Sequence, residues 1–270
     1  MKFGATGKIL RVDLAERKHR VEEPDDTFYR TYFGGSALAC YYLLRERGKI
    51  ADPLGPENLL VFASSPLVGS GIPGANRYSV AAISPLTGVF GEGEAGGWWS
   101  PELKRAGFDG VLVEGRAERP VYLLVRDGEA EIRDAAALWG KGTGETQTII
   151  EQQVGAPNVR VAAIGPAGEN QVRFACIVTA MKHTNGRGGM GAVMGSKNLK
   201  AIAVCGSRPI AFKDKPALKQ MIKWYADHFM DHPIERVLHD GGTIGWDVTE
   251  LDEAGILPTR NFRSGSFEKA

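Results

Sequence analysis

The chain has 270 residues, 33 Lys+Arg against 32 Asp+Glu, 43% hydrophobic and 9% aromatic residues, the balance of a folded globular protein and not of a disordered one. A net charge of +1 with no long run of like charges excludes the electrostatic footprint of a nucleic-acid binder. The longest apolar stretches, such as Leu59 to Ala63, fall far short of the ~20 residues of a membrane span, and Met1 to Leu10 lacks a signal-peptide core, so a cytoplasmic protein with no membrane partner is expected.

Gly7 to Leu14 alternates, with Ile9, Arg11 and Asp13 on one face and Leu10, Val12 and Leu14 on the other, which predicts a half-buried strand. Lys18 to Glu22 is its hairpin partner. Asp25-Asp26 caps a helix through Thr31, and a second helix follows over 37–47, with Leu38, Tyr41, Tyr42 and Leu44 at helical spacing. Short β-branched or apolar segments bounded by Gly, Pro or Asn predict strands at 59–63, 78–83, 110–114, 121–126, 159–164, 174–178 and 199–205. Helices are predicted at 101–106, with Ser100 as N-cap, and at 144–154. After Ser207 the composition changes, and Lys215 to His228 reads as an amphipathic helix. The prediction is therefore an α+β domain over 1–210, followed by the incomplete beginning of a helical domain over 211–270.

The chain contains an internal duplication. Asn58 to Gly69 pairs with Asn158 to Gly168 at an offset of 100 residues, and Arg77-Tyr78 with Arg173-Phe174 at an offset of 96. Gly96-Gly97 pairs with Gly188-Gly189, and each pair is followed by Leu-Lys (Leu103-Lys104; Leu199-Lys200), a strand and a glycine (Gly115; Gly206). Two related halves facing across a pseudo-twofold axis are implied, a scaffold suited to a roughly twofold ligand. Glycine makes up 35 residues, about 13% against an average of about 7%, and clusters at 91–97 and 186–191. Read as turns, these segments offer many N–H groups free of Cβ to a phosphate or planar ring, or else they serve tight turns and the packing of the halves. Arg77 and Arg187 add forks suited to phosphate.

Other residues divide by chemistry. GRGGMG has GxGxxG spacing but no acidic residue at the right distance, so a dinucleotide site is poorly supported. His183 lies among polar residues where it contacts a ligand or is a plain loop histidine; His228, His232 and His239 lack metal-ligand spacing. Ser64-Ser65 is not in a nucleophile elbow. Trp98-Trp99 is assigned to core packing over a pocket wall. Glu94 beside phosphates requires an intervening cation such as Mg²⁺. Cys40, Cys176 and Cys205 form no CxxC pair, which argues against a disulfide framework or a metal cluster and for small buried hydrophobes.

Several strings resemble the aldehyde:ferredoxin oxidoreductase family: Pro53-Leu-x-Pro56-Glu57-Asn58, Ser84-Pro-Leu-Thr-Gly88, Glu102-Leu-Lys-x-Ala-Gly-Phe-Asp109, Glu131 to Ala135 with Trp139-Gly140-Lys141, Ile164-Gly-Pro-Ala-Gly-Glu-Asn170, and Gly186-Arg-Gly-Gly-x-Gly191 through Ala201. The resemblance is dense to about residue 210 and fainter to Asn261-Phe262. It implies a duplicated β-rich base for a tungsten or molybdenum bis-pterin, contacted by Arg77, Glu94, Ala95, Gly96, His183, Thr184, Gly186 and Arg187. It also implies Mg²⁺ between the pterin phosphates, held with help from Glu94 and the Thr184 carbonyl. Here Glu94 replaces the family's asparagine and His183-Thr184 an arginine-alanine pair, so a phosphate contact is expected to weaken.

The family's [4Fe–4S] cysteines, second pterin motif and catalytic groups lie beyond this region, so no catalytic residue is assigned and the isolated 270 residues are expected to be catalytically silent. The implied whole is a tungsten-dependent enzyme oxidising aldehydes to carboxylates. Its expected partners are the C-terminal domains or a complementary subunit, a ferredoxin or small iron–sulfur subunit as electron acceptor, and a second copy of itself. A non-catalytic pterin-binding or cofactor-delivery module is the alternative, and a phosphate- or nucleotide-binding α/β protein a third.

Overall fold

The computed structural model describes residues 3–242 and 248–267, in two compact units divided after Asp214. In the first unit, β1 (Ile9–Asp13), β2 (Lys18–Glu22), β3 (Leu60–Ala63), β4 (Tyr78–Ile83), β5 (Phe90–Ala95) and β6 (Gly110–Glu114) form a sheet in the order β2-β1-β6-β3-β4-β5. A second sheet has the order β11-β10-β9-β12-β7-β8, from β7 (Val121–Arg126), β8 (Glu129–Asp134), β9 (Arg160–Ala163), β10 (Ile177–Thr179), β11 (His183–Asn185) and β12 (Leu199–Cys205). Read from the hairpin end, the two orders are the same, as are the strand senses. Each has one parallel pair, β1 with β6 and β7 with β12, and is otherwise antiparallel.

The duplication therefore runs back to the first hairpin, well before Asn58, and the ladders correct two of its sequence pairings. Ala63 faces Ser79 and Ala163 faces Val178, so Tyr78 corresponds to Ile177 and not to Phe174. The strand predicted at 174–178 is Ile177–Thr179, and Phe174 is 71% exposed ahead of it. Leu103-Lys104 lies in helix α3 (Trp99–Arg105) whereas Leu199-Lys200 opens β12, so this match is fortuitous. Gly96-Gly97 and Gly188-Gly189 do correspond, each preceding the helix between its sheet's edge strand and central strand: α3 in one half, α6 (Met190–Ser196) in the other.

Burial follows from four layers. Helix α2 (Gly35–Glu46) packs on the first sheet through Leu38, Tyr42 and Leu43 against Ile9, Val61 and Leu112. Helix α4 (Thr143–Val154) covers the second through Ile150 against Leu124, Val161 and Ala203. Between the sheets the main core gathers Leu10, Phe62 and Val80 with Leu123, Ile202 and Val204, and it includes Trp99, Leu103, Val193 and Met194 of α3 and α6. The alternation predicted for β1 holds, but both its faces are covered. Arg11 is buried on the α2 side and bonded to Glu22, Glu46 and Glu114 at 2.7–2.9 Å. Charge on a strand face here marks an enclosed ion network, not solvent.

Asp25 caps α1 (Asp26–Tyr32) as predicted, its side chain accepting from Phe28 N at 2.8 Å. Ser100 does not cap α3: Trp98 holds that position, and the Ser100 hydroxyl is buried against Ser64 Oγ at 3.0 Å. Of the cysteines, Cys205 is buried, while Cys40 and Cys176 are half-buried. The second unit contains α7 (Lys215–His228), α8 (Pro233–Gly241) and α9 (Val248–Glu253), and none of the described residues in these helices is buried. No helix among the described residues is long and apolar enough to cross a membrane.

One buried lysine ties the halves. Lys197 donates to Pro56 O at 3.0 Å and Gly115 O at 3.2 Å. Burial, and then Arg116, lower its ammonium to about 7 against the opposing pull of Glu114, Glu57 and Asp13. An unfolded lysine keeps its proton to ~10.4, so between pH ~7 and ~10.4 the unfolded chain binds more protons and stability rises with pH. Moving from pH 7 to pH 9.5 is expected to stabilise the wild type over Lys197→Met by on the order of 3 kcal/mol in urea denaturation. A pH-independent difference between the two contradicts this.

Candidate functional site

The glycine segments lie together, and they do two different jobs. The first is not a turn: Phe90–Ala95 is β5, the edge strand of its sheet, facing β11, the edge strand of the other. Asn185 on β11 is buried and donates Nδ2–H to Gly93 O at 2.9 Å, and the Ser84 hydroxyl donates to Gly188 O at 2.7 Å. A Cβ on Gly93 would lie 3.0–3.2 Å from the Asn185 backbone and Cβ, and one on Gly188 would lie 3.3 Å from Glu92 N and Gly91 Cα. These glycines let the halves approach, which is the packing role.

Beyond them the seam opens into a cavity of about 680 Å³. Glu94 and Ala95 at the end of β5, then Gly96 and Gly97, form one wall; Lys182, His183 and Thr184 form the facing wall; Arg77 precedes β4. Six of the eight candidate contacts, Arg77, Glu94, Ala95, Gly96, His183 and Thr184, thus come together from distant positions. Gly186 and Arg187 are exposed just past β11 and are not among the lining residues. Two of the lining glycines are bare: a Cβ on Gly74 would meet nothing within 4 Å, and one on Gly96 only His183 Nδ1 at 3.8 Å, whereas one on Gly69 would run into the Ile210 side chain. Gly97, at φ +87, is required by conformation, and the His183 ring lies over it where a Cβ would be 2.7 Å from Cδ2.

The electrostatics favour an anion. Arg77, Arg105 and Lys182 bring three basic side chains, two of them guanidiniums, to the lining against the single carboxylate of Glu94. Glu94 reaches Arg77 only at 3.8 Å, with the two side chains 52% and 64% exposed, so this pair is weak and open to exchange for a ligand. The tryptophan pair divides: Trp99 is in the core, stacked obliquely on Tyr78 and donating Nε1–H to Ile202 O, while Trp98 is 58% exposed and lines the cavity. Sequence reading missed the loop wall at Gly69, Gly71, Ile72 and Gly74, and the cations Arg105 and Lys182. Three glycines in the long gap between β3 and β4 were the available signal for the loop. Arg105 follows Pro101 by one helical turn, and both face the cavity.

Fold and site define a duplicated two-sheet scaffold with one glycine-walled, cation-bearing cavity at the seam of its halves. Residues 9–206 match the family described as aldehyde ferredoxin oxidoreductase, N-terminal domain. The chain belongs to this family. It is 41% identical over 272 aligned residues, 99% of its length, to the tungsten-containing aldehyde ferredoxin oxidoreductase of Pyrococcus furiosus, of which it covers 44%. It is 38% identical over 82% of its length to an aliphatic sulfonate oxidoreductase, WOR-like subunit, from the same organism, covering 38% of that protein. Among solved structures, a chain of the active site complex BamBC of benzoyl coenzyme A reductase in complex with 1,5 dienoyl-CoA superimposes with a TM-score of 0.82 at 36% identity, over 86% of this chain and 35% of that one. The chain thus spans under half the length of these relatives.

Proposed function

We propose that the seam cavity holds a tungsten or molybdenum bis-pterin and that the chain is the cofactor-binding N-terminal part of an oxidoreductase converting aldehydes to carboxylates. The observation that carries this reading is the convergence of Arg77, Glu94, Gly96, His183 and Thr184 from both halves on one cation-rich cavity. The residues present fit the group: bare glycine backbone admits a planar ring system, and the arginine forks suit phosphate. The Pyrococcus furiosus aldehyde ferredoxin oxidoreductase named above is tungsten-containing.

In this reading Arg77 and His183 bind pterin phosphates, Ala95 and Gly96 offer backbone, and Gly186 with Arg187 complete the contacts from the rim. Arg105 and Lys182 supply positive charge where the family's arginine is replaced by His183. Among the described residues no group of three or more His, Cys, Asp or Glu could hold a metal, so Glu94 and the Thr184 carbonyl would share Mg²⁺ with phosphate oxygens and water, a coordination that ion favours. When bound, the metal centre supplies the redox chemistry; this chain's residues bind it, orient it and limit water at it. A [4Fe–4S] cluster, a ferredoxin-type acceptor, the further domains or subunit, a homo-oligomer and a cytoplasmic setting complete the proposal.

The test is the protein carrying this chain, produced with tungstate, assayed for tungsten, phosphate and aldehyde-dependent dye reduction. Bound tungsten-pterin with turnover is the expected result. Tungsten without turnover points to cofactor delivery instead, and protein free of both metal and pterin overturns the reading.

A further inference from the structure

Residues 66–76, between β3 and β4, wall the cavity through Gly69, Ile72 and Gly74 but belong to no sheet or helix. Their hydrogen bonds among the described residues are local, such as Ser70 N to Leu67 O at 3.1 Å and Gly69 N to Asn76 Oδ1 at 2.9 Å. Lys104 is the exception. From the buried flank of α3 its Nζ donates to Ser65 O at 2.6 Å, to Val68 O at 3.4 Å and to Gly4 O. We propose that Lys104 is a positioning residue of the site: its ammonium, shared among the Gly4, Ser65 and Val68 carbonyls, pins the 66–76 loop to α3 and thereby sets the wall that closes on the phosphate-bearing ligand. The last step rests on the function proposed above; the pinning of the loop stands on the hydrogen bonds alone.

The chemistry requires a cation with three donors. Each acceptor is a main-chain carbonyl, and an ammonium offers one N–H to each, a match that neither an aliphatic side chain nor a neutral amine, with two N–H groups, can make. Burial lowers Lys104 to about 8, opposed by Asp109, so it stays mainly protonated at neutral pH. Asp109 itself accepts from Thr6 N, Gly7 N and the Tyr29 hydroxyl at 2.8–2.9 Å, which fixes the segment beside Gly4. On the same helix Pro101 and Arg105 line the cavity, so α3 carries both part of the cavity's lining and the pin for its loop.

The experiment compares amide hydrogen exchange and bound tungsten in wild type, Lys104→Met and Lys104→Arg, each produced with tungstate as the whole protein. Lys104→Met is expected to exchange at least about tenfold faster over 66–76, with β3 and β4 at wild-type rates, and to retain several-fold less tungsten; Lys104→Arg should recover part of both. Wild-type loop exchange in Lys104→Met overturns the proposal, and a loosened loop with undiminished tungsten overturns its link to the ligand. If fast exchange in β3 and β4 shows Lys104→Met to be unfolded, wild-type labelling decides. Acetylation of Lys104 that rises with loop exchange as urea is added supports the pin, and acetylation only in step with β3 and β4 refutes it. Wild-type protein without tungsten counts against the proposed function, while loop exchange still judges Lys104.

Discussion

Arg77→Ala is expected to lose most of its tungsten-pterin on dialysis while melting within about 1–2 °C of the wild type. The side chain is mostly exposed and its only ion pair among the described residues is the loose contact with Glu94, so little folding energy depends on it. Its worth lies in a permanently charged, planar fork at the mouth of a cavity with few competing carboxylates. Hydrogen bonds to a charged group are worth about 1.5–3 kcal/mol each, and every 1.4 kcal/mol is tenfold, so retention should weaken roughly 10- to 100-fold. Arg77→Lys keeps the charge but not the fork and should fall between. Tungsten and phosphate per chain after dialysis, read beside the melting temperature, check this. Wild-type tungsten in Arg77→Ala removes the residue from the site.

What the sequence disclosed, and what it hid, follows from the range of the interactions. The duplication was legible because strands fully buried between layers repeat short apolar strings, as in β3 and β9. Its register was not, because a three-residue slip at Arg173-Phe174 leaves composition unchanged and only the ladder from Ala163 to Val178 fixes it. Helix α6, MGAVMGS, has two glycines and was missed; all seven residues are buried, so packing between the sheets overrides weak propensity. The three-residue β11 is too short for any reliable periodicity, and β8 alternates only over Glu129 to Ile132, where Ala130 and Ile132 pack against the core, before charge resumes at Arg133. At the site, Arg77, Glu94 and His183 came from a family resemblance joined to glycine clustering. Arg105 and Lys182 carry no local mark; they matter because α3 and the segment before β11 converge across the seam.

The resemblance also mixed ligand-facing with structural residues, and Ile164 to Asn170 shows why. This string forms α5 (Pro166–Glu169), whose Gly168 admits the close approach of Gly191 O in α6, and whose Glu169 is bonded to Lys200 of β12. None of it lines the cavity. Its contribution is to seat α6, just ahead of which Gly188 meets β5, so it acts on the site only through the framework.

That framework role gives the largest stability effect expected. Lys200 is fully buried, donating to Lys141 O at 2.8 Å and paired with Glu169, whose other oxygen accepts from Gly140 N at 2.8 Å. Glu169→Ala leaves an ammonium without its counter-charge and an amide without its acceptor, and removing one partner of a buried pair costs about 3–5 kcal/mol. For a unit of this size that lowers the melting temperature by roughly 10 °C at about 2–4 °C per kcal/mol. Lys200→Met alone should also destabilise, because it strands the carboxylate. The double variant Glu169→Leu with Lys200→Met replaces both charges with apolar volume and should recover most of the loss, a coupling that a mutant cycle closed by the single variants Glu169→Leu and Lys200→Met measures directly by calorimetry. If the two single losses simply add in the double variant, the pair is not the unit that holds α5 to β12, and the stabilisation lies instead in the glycine contacts between α5 and α6.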